Sequence, residues 1–162
     1  MAKAIALVET FHLTPRVETT VQITFNPIGT AHTNATDLPR HWSVSDVEGT
    51  LDIDPEYTDA LADISAGQKI VVLFYFHKSP PFSRDLLKQT PPHRNRALGV
   101  FSICSPRRPN PIGLSVLEVL AKNDHVLHVR CMDMFDGTPI LDIKPFVESR
   151  KTLPSRKNAF AQ

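Results

Sequence analysis

The sequence predicts a mainly β domain, an antiparallel sheet curled into a barrel, with one short helix and a long proline-rich basic loop. Three observations predict it. Six or more segments show strand-length alternation or short continuous apolar runs, and only the stretch near 55–64 carries helix signals. No regular strand–helix–strand alternation occurs, so a parallel sheet has no crossovers to build it. An antiparallel sheet of this size hides its edges most easily by closing on itself. At 162 residues the chain fits one domain with a core over about 21–148. Residues 1–20 form an N-terminal arm or an extra edge strand, the pattern being compatible with both, and 149–162 form a polar tail.

In chain order, Val21, Ile23 and Phe25 alternate with Gln22 and Thr24, which predicts a half-buried strand ended by Asn26-Pro27. A second extended segment runs to Ile53. Asp54 then reads as the cap of a short helix over 55–64, with Pro55 in its first turn and Glu56 beside its positive end. The run "KIVVLFYFH", 69–77, rich in β-branched and aromatic residues, predicts a central strand. From Ser79 to Ala97 four prolines and many polar and basic residues predict a long loop, a kind of segment that is usually functional or mobile. "LGVFSI", 98–103, is expected to be a strand. Residues 112–121 and 125–133 alternate around the turn "KND" as a hairpin. "FDGT", 135–138, is a turn in which Asp-Gly accepts positive φ, and "PILDIKPFV" alternates again.

Several function classes are excluded. The six glycines are each at least fourteen positions apart, so neither GxGxxG nor a Walker loop exists. No GxSxG or HExxH occurs, and the seven histidines are scattered. Cys104 and Cys131 sit in no CxxC or Cys/His cluster, which argues against a zinc framework or a secreted disulfide scaffold, and no metal is expected. The N-terminus has too short an apolar run for a signal peptide or a membrane span, and the reading is a soluble cytoplasmic protein. The net charge of +1 hides an asymmetry: eight carboxylates and one base, Arg40, lie from Asp37 to Asp63, then seven bases and one acid, Asp85, from Lys78 to Arg108. Gathered by the fold, those bases would attract phosphates; ungathered, they are a solvated loop.

What remains is a set of three segments: "YFHKSP" at 75–80, "CSPRRPNPIGLS" at 104–115 and "DMFDGTPILDIKP" at 133–145. The pairing of RPNPIG with DGTP…DIKP over roughly residues 25–148 resembles the TsaA-like family, also called YaeB or TrmO. The resemblance implies a single-sheeted barrel that forms a homodimer and binds S-adenosylmethionine near the interface, without a Rossmann glycine loop. It also implies methyl transfer to N6 of threonylcarbamoyladenosine beside the anticodon of tRNA, so tRNA is the expected partner. An adaptor or regulator that binds S-adenosylmethionine or RNA without catalysis is the alternative.

Carried over by motif position, the cofactor would meet His32, Thr33 and Asn34, His77 and Lys78, Cys104 and Leu114, and Met134, Phe135, Asp136 and Gly137. This chain reads "GTAHTNATD" where the family often has Arg-Ser-Pro, and Cys104 where many relatives have arginine. A thiol cannot imitate a planar multi-donor cation. The chain ends soon after DIKP, so contacts made by a further C-terminal region in several bacterial relatives are expected to be absent or replaced.

Pro106, Pro109 and Pro111 restrict φ and pre-order the corner, while Asn110 offers amide donors and an acceptor. Arg107, Arg108 and Asn110, with Arg94 and Arg96 of the basic loop, are the expected RNA contacts. Methylating a nitrogen requires loss of a proton, and Asp133, Asp136 and Asp142 are candidate bases. On the motif's account Asp136 and Lys144 are the catalytic candidates, although Asp-Gly is common in turns and Asp142 with Lys144 also reads as a surface ion pair.

Overall fold

The longest alternating run becomes the longest strand. In the computed structural model, which describes residues 22–148, Ile112–Asn123 forms one strand whose inward residues, Gly113, Ser115, Leu117 and Val119, are all buried. The arm, the tail and Val21 lie outside the described residues. Eight strands occur among the described residues: β1 (Gly29–His32), β2 (Glu48–Ile53), β3 (Lys69–Tyr75), β4 (Lys88–Gln89), β5 (Leu98–Gly99), β6 (Ile112–Asn123), β7 (Val126–Arg130) and β8 (Thr138–Pro145). Six of them close a barrel in the order β1-β2-β7-β6-β3-β8, with every neighbouring pair antiparallel, as the alternation predicts. β4 and β5 make a separate two-stranded ribbon.

The core is the barrel interior. Ile70, Val72 and Phe74 of β3 face Leu117, Ser115 and Gly113 of β6, and Leu51, Ile53, Leu127, Val129 and Ile140 complete the filling. Register shifts that pass over Leu120 in β6 and Leu141 in β8 mark bulges. Extra residues at such points sharpen twist, which closing a six-stranded sheet requires. The KND turn is present, with Asp124 at φ 54°, and the FDGT turn has Gly137 at φ 77°, a conformation that disfavours any side chain.

Three expectations change. Residues 22–26 are not a strand: Ile23 and Phe25 are exposed, and the first strand among the described residues starts at Gly29, next to Ile28, which donates its N–H to the Ile140 carbonyl. A closed barrel leaves no edge for an earlier strand to join, however well its side chains alternate. The 98–103 strand shrinks to Leu98–Gly99, then tightens into a 3-10 turn, Val100–Ser102, that buries Val100 and leaves Phe101 78% exposed. The short helix forms as a 3-10 helix over Pro55–Leu61, and Asp54 contributes its backbone carbonyl to Tyr57 N–H with no side-chain cap. Among the described residues two more short 3-10 turns, Trp42–Val44 and Arg84–Leu87, occur in the connections.

Candidate functional site

The first motif ends β3 and the third opens its antiparallel neighbour β8, so both lie on the same side of the barrel, and the proline corner folds across the gap between them. The result is a cleft of about 1100 Å³. Its walls are the 38–42 segment, the β3 end with residues 76–80, the corner at 104–110, the start of β6, and residues 133–135. The corner is held from outside. Gln89 of β4 donates to the Arg107 carbonyl at 2.8 Å and accepts from the Ser105 hydroxyl at 2.7 Å, Ser105 accepts the Arg107 N–H, and Ser79 donates to the Pro106 carbonyl at 3.1 Å. Prolines bring no N–H of their own, so side chains from the long loop supply the donors.

Of the expected cofactor residues, His77, Lys78, Cys104, Leu114, Met134 and Phe135 line this cleft, as do the expected RNA contacts Arg107, Arg108 and Asn110. Met134 is buried, whereas Leu114 and Phe135 are about half exposed and present apolar surface. Lys78 Nζ lies 4.9 Å from the centroid of the Phe135 ring, a cation–π contact that joins two motifs. His77 Nδ1 is 3.3 Å from the Thr138 hydroxyl; burial, then the neighbouring Lys78, holds its pKa below the usual imidazole value and favours the neutral ring.

His32, Thr33, Asn34 and Asp136 line a separate, smaller hollow of about 490 Å³ with Glu48, Gly49 and Thr50. His32 Nδ1 lies 3.0 Å from Asp136 Oδ1, which also accepts the Thr33 N–H. A carboxylate only accepts, so the Nδ1 nitrogen carries the proton of this pair. These contacts, the His32 bond first, hold the Asp136 carboxyl below the usual carboxylate range. A depressed folded-state pKa means stabilisation that is present above the unfolded value and lost as pH falls through the folded one. Asp136→Asn is therefore expected to flatten the acid limb of the stability curve below about pH 4, read by denaturation midpoints at a series of pH values. An unchanged limb would show that the pair contributes nothing to folding.

Gly137, next to Asp136, serves the turn and gives its N–H to the Ala31 carbonyl. Arg94 and Arg96 are exposed on the long loop and are not brought to the cleft. Lys144 lies on the barrel's outer surface opposite Val71, paired with Asp142. Of the seven bases from Lys78 to Arg108, Lys78, Arg107 and Arg108 line the cleft. They are joined by Arg40, which stands in the acidic stretch and bonds His93 Nδ1 at 3.2 Å.

Sequence reasoning missed Arg40, Trp42 and the Gln89 latch. A lone base among carboxylates, a single tryptophan and a glutamine in a loop carry no spacing signal. Trp42 opens a 3-10 turn capped by His41, whose Nδ1 accepts the Ser43 N–H. Asp133, raised only as one of three possible bases, lies on the cleft wall with its Oδ1 bonded by the buried Ser115 hydroxyl. Burial pushes its pKa up, offset in part by the Ser115 and Trp42 N–H interactions. Among the described residues no group of His, Cys, Asp and Glu is arranged to hold a metal ion, and no helix is long and apolar enough to cross a membrane.

Comparison with known proteins shows what the chain is similar to. An S-adenosyl-L-methionine-binding protein of Archaeoglobus fulgidus is 42% identical over 110 residues, 68% of this chain and 77% of that protein. A tRNA (adenine(37)-N6)-methyltransferase of Escherichia coli is 32% identical over 126 residues, 74% of this chain but 54% of that protein. The crystal structure of TrmO from Pseudomonas aeruginosa superposes with a TM-score of 0.61 at 27% identity, covering 88% of this chain and 64% of that one. The chain thus spans little more than half to two thirds of these bacterial relatives. Residues 27–151 match the model of the tRNA-methyltransferase O N-terminal domain, and the chain belongs to that family.

Proposed function

We propose that the protein is an S-adenosylmethionine-dependent methyltransferase that modifies tRNA, with N6 of threonylcarbamoyladenosine next to the anticodon as acceptor. The observation that carries this reading is the convergence of three sequence-distant motifs on one cleft that is apolar at Met134, Leu114 and Phe135 and cationic at Arg40, Lys78, Arg107 and Arg108. The apolar group suits an adenine ring and the Lys78 ammonium suits the methionyl carboxylate. When bound, the cofactor supplies a methyl group on a sulfonium, which leaves as a neutral thioether. Four cations exceed what one carboxylate needs, and the surplus suits a phosphate backbone. The rigid corner holds the arginines in place and so limits the entropy lost on docking. Catalysis then rests largely on positioning, since an in-line displacement needs the acceptor and methyl carbon held at near-reactive distance.

The smaller hollow around His32 and Asp136 extends the site in this reading once two chains associate. The exposed Leu114, Phe135 and Phe101 support such a homodimer with the cofactor near its interface.

Calorimetric titration with S-adenosylmethionine tests the cofactor, and labelled methyl transfer to tRNA with and without the threonylcarbamoyl group tests the acceptor. Leu114→Asp is expected to weaken cofactor binding tenfold or more, on the order of 1.4 kcal/mol, by placing a charge on the apolar wall. Saturable binding with no transfer to any tRNA would favour the adaptor reading. Absence of binding to the folded protein would reject the cofactor site and favour the RNA-binding adaptor reading.

A further inference from the structure

We infer that Asp133 is the group that takes the proton from the acceptor nitrogen, held for that task by the Ser115 hydroxyl from inside the barrel. The inference rests on the methyltransferase reading above. Among the described residues, Asp133 is the one carboxylate that lines the large cleft. The other two candidates are engaged elsewhere: Asp142 pairs with Lys144 on the outer surface, and Asp136 is bound by His32 and Thr33 at the smaller hollow.

The geometry around Asp133 is a built arrangement. Ser115 is fully buried, on the inward face of β6 opposite Val72, in an interior filled mainly by apolar side chains. Its hydroxyl donates to Asp133 Oδ1. A carboxylate accepts about four hydrogen bonds, so this one leaves capacity for an incoming N–H. A buried serine whose hydroxyl donates to a cleft carboxylate is explained if it fixes a group that must keep one orientation through the reaction. Burial also makes this carboxylate more basic than an ordinary surface one, in the direction a general base at neutral pH requires.

The step balances. The acceptor nitrogen forms its bond to the methyl carbon as the carbon–sulfur bond breaks, and that electron pair leaves with sulfur. The N–H proton passes to Asp133, so the sulfonium becomes a neutral thioether and the carboxylate becomes a carboxylic acid. The charged or titratable groups that share the cleft walls are Arg40, His41, His77, Lys78, Cys104, Arg107 and Arg108. Arginine and lysine keep their charge across neutral pH, which leaves the two histidines and the Cys104 thiol as the groups to control for.

Trp42 is the single tryptophan of the chain, so its emission reports on Asp133 and on cleft occupancy without any turnover. In a background carrying His41→Gln, His77→Gln and Cys104→Ser, Trp42 emission is expected to show an acid-side titration step that Asp133→Asn removes. Asp133→Asn is expected to bind S-adenosylmethionine and tRNA within about threefold of the parent, read by the same emission, while single-turnover methyl transfer falls by about 10²–10⁴-fold. Transfer by the parent should rise with pH through the Asp133 titration and then level off. Ser115→Ala, which removes a bond to the charged form, should move that midpoint upward.

Transfer by Asp133→Asn within threefold of the parent overturns the inference, as does a loss of cofactor affinity beyond tenfold, which would make Asp133 a binding residue. A pH midpoint unmoved in Ser115→Ala overturns the positioning role of the serine. A parent that binds cofactor and transfers to no tRNA overturns the methyltransferase reading and this inference together. With a parent that transfers normally, the outcome for Asp133→Asn bears on Asp133 alone.

Discussion

Replacing Arg107 and Arg108 together by alanine is expected to weaken tRNA binding about tenfold or more near physiological salt. It should also lower the slope of log K against log salt by about 1.4, two phosphate contacts at about 0.7 each for a single-stranded region. The reason lies in how the arginines are rooted. The Arg107 backbone is tied at both ends, its N–H to Ser105 and its carbonyl to Gln89, and prolines stand on either side of the pair. Little backbone freedom is left to lose on binding, so the two guanidinium groups act as a fixed pair of cations. Fluorescence anisotropy of labelled tRNA over a salt series measures both quantities. The paired lysine substitutions keep the charge and should restore the slope, while losing affinity wherever a planar fork is used. A slope unchanged in the alanine variant would remove these arginines from the RNA surface.

Gly113→Ala is expected to lower stability by about 1–3 kcal/mol and to impair cofactor binding in the remaining folded protein. Gly113 stands opposite Phe74, and an added Cβ would overlap the Phe74 ring. That ring cannot swing away freely, since Phe74 is buried and packs edge-on against Phe76 with centroids 5.1 Å apart. Gly113, Phe74 and Phe76 all line the cleft, so any shift that relieves the overlap deforms the site as well as the core. Urea unfolding should show a lower midpoint at unchanged m-value. Phe74→Leu in the same chain should recover part of the loss. Full stability in Gly113→Ala would mean that the ring relaxes at no cost, and the coupling of core to cleft would fall with it.

The barrel was legible in the sequence because it depends on side-chain alternation, a local property. The segments 69–77, 112–121 and 135–145 each announced β3, β6 and the DGT turn with β8 before any neighbour was known. The three motifs of the cleft were legible for a related reason, since prolines, arginines and a DGT turn specify backbone shape at short range. Alternation reports which way side chains point and says nothing about whether a partner edge is free. That is why 22–26 is not a strand once β1 and β8 have closed the ring, and why 98–103 keeps only Leu98–Gly99, paired with β4 outside the barrel.

The division of the site in two is a product of long-range contacts. His32, Thr33, Asn34 and Asp136 meet one another across about a hundred residues in a hollow distinct from the one lined by Cys104 and Leu114. Only the barrel's register points Ser115 inward to Asp133, brings Arg40 and Trp42 to the cleft, and leaves Arg94, Arg96 and Lys144 away from it. Net charge along the chain could not separate those bases, because electrostatic surface follows position in space. Strands, the rigid corner and the chemical types at the site were thus written locally in the chain; which groups meet, and which carboxylate stands on the cleft wall, followed from closing six strands into one ring.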